Sequence, residues 1–313
     1  MWQVVFRRLM LSIPLVFAVT FLTFFLNSLS PGDLAHTILG ADGTREQYEA
    51  LRVELGLDRP LVVQYLLWVW QALQGDLGVS YFTKESVLSL VNARLGVSLS
   101  IMVGVLTICA TAGILLGVAS SLKGGWVGRL IDTLSLIGLI FPSFWLALVL
   151  ISIFAVWLQW LPATGYVMFS EDISQWFASL VLPVFSVALY SITSIAKQTR
   201  DSMSEVMGRD FIRALRACGI SELKIVWVHG LRNAALPVVT VLGLVMVAAI
   251  SGTVFVERVF VLPGLGSLAV SAAANKDILL LQGVTLYFSL MTIVINLLVD
   301  LSYSWLNPKV RVS

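Results

Sequence analysis

Few residues in this 313-residue chain are of types that do chemistry, and they are scattered. The two histidines are His36 and His229, the two cysteines are Cys109 and Cys218, and Asp300 stands near the end of a long apolar run. No H-E-x-x-H, G-x-S-x-G or G-x-x-x-x-G-K-[ST] pattern is present. The chain therefore carries no zinc-peptidase helix, no serine-hydrolase elbow and no phosphate loop for ATP. Cys109 lies in an apolar stretch and Cys218 in a polar one, which suits neither a disulfide framework nor a zinc cluster. Asp300 is a carboxylate at the edge of an apolar segment and reads as half of a structural ion pair with a nearby Lys or Arg, ahead of a proton relay. In residues 205–232 basic and acidic side chains interleave with apolar ones.

The elements that carry these residues are dictated by composition. Hydrophobic residues make up 58% of the chain and charged ones 12%, about half the charge of an ordinary soluble domain. Charge-free runs cover residues 9–31, 95–122, 133–170, 173–196, 233–256 and 278–299, each long enough for one membrane-spanning helix. The run 133–170 is broken by Trp160-Leu161-Pro162 and Gly165, so its helix ends near Leu158 and a loop follows. Residues 259–275 are uncharged but short, and they contain Pro263, Gly264 and Gly266, so they are not counted as a span. The first run follows Arg7 and Arg8 and is too long for a signal peptide's apolar core, which makes it a span. Pro14, Pro142, Pro183 and Pro237 read as kinks first and gates second. The expected fold class is an all-α membrane protein with about six transmembrane helices.

Orientation follows from basic residues retained on the cytoplasmic side. With both termini inside, cytoplasmic segments hold Arg7, Arg8, Lys123, Arg129, Lys197, Arg200, Arg209, Arg213, Arg216, Lys224, Arg232, Lys309 and Arg311, thirteen of the 20 basic residues. The loop 169–177 has Glu171 and Asp172 and no base, as an external loop should. Four parts result: an N-terminus and first span (1–29), an external helical cap between spans 1 and 2 (30–94), a core with spans 2–6 (95–303) and a cytoplasmic tail (304–313). In the cap, Thr44 with Gln47 forms a capping-box pattern before a helix that Gly56 ends, and Asp58 with Pro60 starts a second helix that runs to about Leu73 before Gly75. Leu61, Tyr65, Trp68 and Ala72 share one face of that second helix, suited to packing onto the membrane domain or, alternatively, to touching a ligand. His36 and His229 fall on opposite sides of the membrane and cannot share a metal.

The segment 205–232 reads as helix, break, helix. Asp210 can cap a short helix, Gly219 suits the left-handed residue that ends it, and Ser221 can cap the next. Arg209, Arg213 and Arg216 share one face, with Phe211, Leu215 and Cys218 roughly opposite. The pattern suits docking to another protein, and it equally suits a solvated loop whose bases obey the inside rule. At the other end of the fifth span, Glu257, Arg258, Pro263, Gly264 and Gly266 permit irregular backbone at an external mouth, as either a gate or a rigid scaffold.

The run Ala214 to Gly219, followed by Val228-His229-Gly230-Leu231-Arg232-Asn233-Ala234-Ala235-Leu236-Pro237, resembles the EAA loop of ABC importer permeases of the dipeptide, oligopeptide and nickel type. Leu55-Gly56-Leu57-Asp58-Arg59-Pro60-Leu61, Gln64-Tyr65, Gly75-Asp76-Leu77-Gly78-Val79-Ser80, Pro142-Ser143-Phe144-Trp145, Trp160-Leu161-Pro162, Glu257-Arg258-Val259-Phe260 and Pro263-Gly264-Leu265-Gly266 are similar to that family in the same order. Arg213, Ser86 and Gly96 depart from its usual residues. The resemblance implies the type I ABC importer transmembrane-domain architecture, and a permease that forms half of a path for a peptide, nickel chelate or similar solute. It implies four partners besides the lipid bilayer: a second, homologous permease, two ATP-binding subunits and an external solute-binding protein. Nucleic acid is not among them. It also implies that Asp210, Phe211, Arg213, Ala214, Leu215, Arg216, Cys218 and Gly219 couple to a motor subunit. The chain itself is then no enzyme and holds no cofactor, with ATP and Mg in the partners. The competing class, a stand-alone secondary transporter or channel, would need ion-coupling residues in the helices or a selectivity-lining segment, and neither is legible.

Overall fold

The computed structural model describes residues 2–29, 34–40, 44–123, 125–126, 128–130, 133 and 141–306. Every regular element among them is helical, with one isolated bridge between Val79 and Ser86. Five helices are long and apolar enough to cross a membrane: Val5–Ser28, Val87–Leu122, Ile173–Met207, Glu222–Val259 and Ile278–Leu306. They match five of the six predicted spans. Residues 134–140 of the predicted third span lie outside the described residues; the part from Ser143 is the shorter apolar helix Ser143–Trp157, which ends at Leu158 as the broken apolar run requires. Pro142 is a correction. It stands at the N-cap of Ser143–Leu150, where its missing N–H costs nothing, and so starts a helix instead of kinking one. Pro14, Pro183 and Pro237 do lie inside helices.

The chain forms two compact units, residues 1–6, 99–262 and 294–313 in one and 7–98 and 263–293 in the other. In the first unit, glycine lets two backbones approach closely. A Cβ on Gly104 would lie 2.8 Å from Val184, one on Gly113 2.8 Å from Ile195, and one on Gly117 2.6 Å from the Ala196 carbonyl. Small residues at helix interfaces are the usual device where lipid removes the hydrophobic drive between helices. Contact positions rise together along both segments, so these helices run parallel, and the chain between them must return. Among the described residues of that connection, Ser143–Trp157 is a shorter apolar helix. Helix Leu231–Val259 packs antiparallel to Ile173–Met207, with Val226 and Ala234 beside Met203 and Val206 and then Val238 and Val245 beside Ile195. Tyr303 reaches Thr240 (2.6 Å) and Val299 covers Gly243, so the last helix is antiparallel to that one.

In the second unit Tyr65 and Trp68 are buried with Phe24, Leu77, Val87, Leu265 and Leu280, so the apolar stripe of Leu61–Leu73 does pack into a core. The Tyr65 hydroxyl lies 2.9 Å from the Thr20 hydroxyl and 3.0 Å from the Phe17 carbonyl. The capping box of Thr44 and Gln47 forms, and Gly56 (φ 68°) and Gly75 (φ 86°) end their helices in the left-handed region. Asp58 does not cap the second helix, because Pro60 occupies that position without a side-chain hydrogen bond.

Asp277 is 1% exposed and organises one end of this unit. Its carboxylate accepts from the Ser80 hydroxyl (2.5 Å), the Tyr81 N–H (3.2 Å) and the Leu280 N–H (3.2 Å), tying loop 74–86 to the start of the last helix. Burial first and the Asp277 charge second push the Tyr81 phenol up to about 12, so it stays neutral. Asp277→Ala should orphan these buried donors and lower unfolding stability by about 3 kcal/mol, with Asp277→Asn milder, as measured by thermal unfolding in detergent. Wild-type stability in the alanine variant would show the network to be idle.

Candidate functional site

Helix Ile173–Met207 ends at Gly208, and the next helix, Asp210–Ala217, begins at once. Its N-cap is Arg209 in extended conformation, so Asp210 is the first helical residue and not the cap as expected. An acidic first turn is still favourable there. The stop is where the spacing predicts it. Gly219 has φ 76°, its N–H reaches the Arg216 carbonyl (3.0 Å), and the Ile220 N–H reaches the Leu215 carbonyl (3.2 Å). That pair of bonds is the Schellman arrangement, which satisfies carbonyls a helix end otherwise strands. Ser221 occupies the next N-cap, but its hydroxyl makes no capping bond. From Glu222 the chain is helical to Val259, passing through a π-helical stretch at Ile225–Gly230.

Which face of Asp210–Ala217 is held, and which is free, differs from the sequence reading. Ile212, not singled out there, is the buried anchor at 0% exposure, as is Ile225 on the following turn; Leu215 is half-buried. Phe211, Ala214 and Cys218 are exposed and lie on one side of the helix. Ile212 was legible only as one more apolar residue in a helix of eight, too short for periodicity to mark the inner face. The arginines are not bare either. Arg209 pairs with Glu205 (2.6 Å), Arg213 with Asp210 (3.2 Å) and Arg216 with Glu222 (2.6 Å), the last bridging the break at Gly219. The Arg216 guanidinium holds the Glu222 carboxyl below the usual range. The His229 carbonyl accepts from Asn233 (2.7 Å), and the described residues contain no group of metal-ligating side chains. The side chain of His36 lies outside the described residues.

The gate candidates are split. Glu257, which is wholly buried, and exposed Arg258 belong to the first unit, whereas Pro263, Gly264 and Gly266 belong to the second. Gly264 is extended and Gly266 helical, both buried, so neither glycine supplies a left-handed turn; that residue is Val261, at φ 55°. Asp300 is buried and is not without a partner.

Sequence reasoning named no pore-lining residue. The first unit contains a cavity of about 260 Å³ lined by Ser143, Ser186, Tyr190 and Ser191 with Phe141, Val245 and Gly252. Phe141 and Trp145 stack at 4.4 Å beside it. Its lining holds hydroxyls and no charged group, a surface that hydrogen-bonds amides without holding an ion.

Residues 110–312 match the family described as binding-protein-dependent transport system inner membrane component, and residues 1–102 match the corresponding N-terminal family. The chain is 39% identical over 312 residues to a Brucella abortus protein named as a peptide transport system permease, covering 99% of both. It is 37% identical to a Sinorhizobium fredii protein named as a peptide ABC transporter permease (98% of each chain) and 36% identical to the glutathione transport system permease protein of Escherichia coli (99% of each). With a helical fold of membrane-spanning length and matches across nearly its whole extent, the chain belongs to the family of inner-membrane components of binding-protein-dependent transport systems, the permeases of ABC importers.

Proposed function

We propose that this chain is one of two permease subunits of an ATP-driven peptide importer, and that helix Asp210–Ala217 is its handle for the motor. The observation that carries this reading is the exposed face of Phe211, Ala214 and Cys218 on a helix fixed from behind by Ile212. Exposed apolar surface on a rigid element fits a partner-facing role. Two ATP-binding subunits, a second homologous permease and an external binding protein complete the assembly, in keeping with a chain that has no phosphate loop. Both termini and segment 205–232 face the cytoplasm, on the distribution of bases. The peptide class rests on the relatives' names and agrees with the uncharged, hydroxyl-lined cavity between Ser143–Leu150, Ile173–Met207 and Leu231–Val259, read as part of the solute path. Nickel chelates remain a poorer match to that lining, which lacks soft or anionic donors.

Orientation is checked with thiols. Cys218 is exposed and Cys109 buried, so an impermeant maleimide should leave intact cells unlabelled and should label Cys218 in inverted vesicles stripped of the motor subunits. A Ser174→Cys variant should label from outside. Labelling of Cys218 in intact cells would overturn the orientation and the coupling role together.

Coupling is checked at Gly219. A Cβ there meets nothing within 4 Å, so substitution acts through the backbone alone. Valine at φ 76° is disfavoured by about 1–3 kcal/mol, and the short helix should extend or tilt. Gly219→Val should leave membrane abundance unchanged while solute uptake per ATP hydrolysed falls several-fold, and Gly219→Ala should be milder. Full coupling in the valine variant at normal abundance would remove the role assigned to this segment.

A further inference from the structure

The second unit holds a cavity of about 240 Å³ whose lining is unlike that of the solute path. It lies between the end of Arg45–Glu54, the helix Leu61–Leu73 and the start of the last helix, with Phe24 and Leu279 among its apolar walls. Trp68 lines it, is 5% exposed, and its indole N–H is buried with no hydrogen-bond partner. An indole N–H donates only and cannot rotate away, and a buried orphan donor costs about 1–3 kcal/mol. A fold with an otherwise well-satisfied second unit keeps such a donor at the wall of a cavity when something entering the cavity accepts from it.

The other polar groups indicate what that acceptor is. Arg59 and Glu54 line the same cavity, both are exposed, and neither forms an ion pair among the described residues. The Arg59 side chain folds back over Gly56, with its Nε 3.8 Å from where a Cβ on that glycine would be. Tyr81 adds a phenol that stays neutral, and so able to donate, throughout the physiological range. One guanidinium, one indole N–H, one carboxylate and an apolar wall together match a carboxylate, an ammonium and an apolar side chain.

We propose that this cavity binds a small zwitterion of the amino-acid type, with its carboxylate on Trp68 and Arg59 and its ammonium on Glu54. A free amino acid and the end of a short peptide share this chemistry, and the volume, at the lower edge of small-molecule sites, limits the bound part to about one apolar residue. The inference goes beyond the transport reading and does not depend on it, because binding here requires neither the motor nor a particular orientation.

Isothermal titration of the full chain in lipid nanodiscs, without ATP or partners, tests it. L-leucine should bind, with leucinamide and N-acetyl-leucine each about tenfold weaker or worse, since each lacks one charge. L-alanyl-L-leucine is the second arm: tighter binding than leucine assigns the site to peptide ends, and weaker binding to free amino acids. Trp68→Phe keeps the ring that stacks on Tyr65 at 6.2 Å but removes the donor. It should weaken leucine binding about tenfold while the thermal midpoint of the ligand-free protein holds or rises. A purely structural tryptophan would show the opposite pattern. Arg59→Gln, at an exposed position outside the core, gives a second reading of the carboxylate subsite, with the same tenfold loss expected. No heat from either leucine or the dipeptide at about 1 mM, or undiminished binding in both variants, would overturn the proposal.

Discussion

Inside a bilayer no water is available to a stranded peptide group, so each backbone N–H and C=O must find its partner within the protein. That constraint sets the length of the five long helices, and it also dictates how the chain may leave a helix. Among the described residues, five ends use the same device, in which one residue turns left-handed and two N–H groups fold back onto the last carbonyls. The turning residues are Gly56, Gly75, Val261, Lys276 and Gly219. Wherever the fold changes direction outside the long helices, the choice of that residue determines how rigid the corner is and how much strain it stores.

This distribution explains what was legible and what was not. The three glycine corners could be read directly, because glycine followed by a cap residue or proline is a stop signal with a mechanism. Val261 and Lys276, at φ 55° and 57°, were invisible, since neither residue favours the left-handed region and only tertiary packing holds them there. They flank the short helix Leu265–Ala274, so the sequence reading excluded a span there correctly but placed the irregular backbone on Gly264 and Gly266. Long apolar runs gave five spans with little error because length alone is decisive. The cavity linings, by contrast, draw residues from helices far apart in sequence, and no local pattern marks Ser143 or Val245 as a neighbour of Ser186 and Tyr190.

The glycines at 104, 113 and 117 were read only as parts of an apolar run, yet they let two helices of the first unit pack closely. Two parallel helices in such contact move as one body, because any rotation drives a Cβ-less groove off the side chain that fills it. Helix Ile173–Met207 continues beyond its apolar part to Gly208 and delivers Asp210–Ala217 one residue later. A displacement of the short helix is therefore passed to the packed pair with little slack, which is the mechanical property a coupling element requires.

Charge and apolar surface divide the work on that short helix. Its ion pairs, Arg209 with Glu205, Arg213 with Asp210 and Arg216 with Glu222, are all made within the chain by solvent-exposed groups. Such pairs contribute little and are screened by salt, so they are readily rearranged. Burying a side chain the size of Phe211 is worth about 1.5–3 kcal/mol. On these magnitudes a partner docked as proposed would draw its binding energy from Phe211 and its small neighbours Ala214 and Cys218, with the arginines setting orientation and the rate of encounter. The Arg216–Glu222 pair spans the left-handed corner at Gly219 and so braces the two helices against each other. Losing it softens the corner without moving it, whereas the backbone at Gly219 alone decides where the corner points.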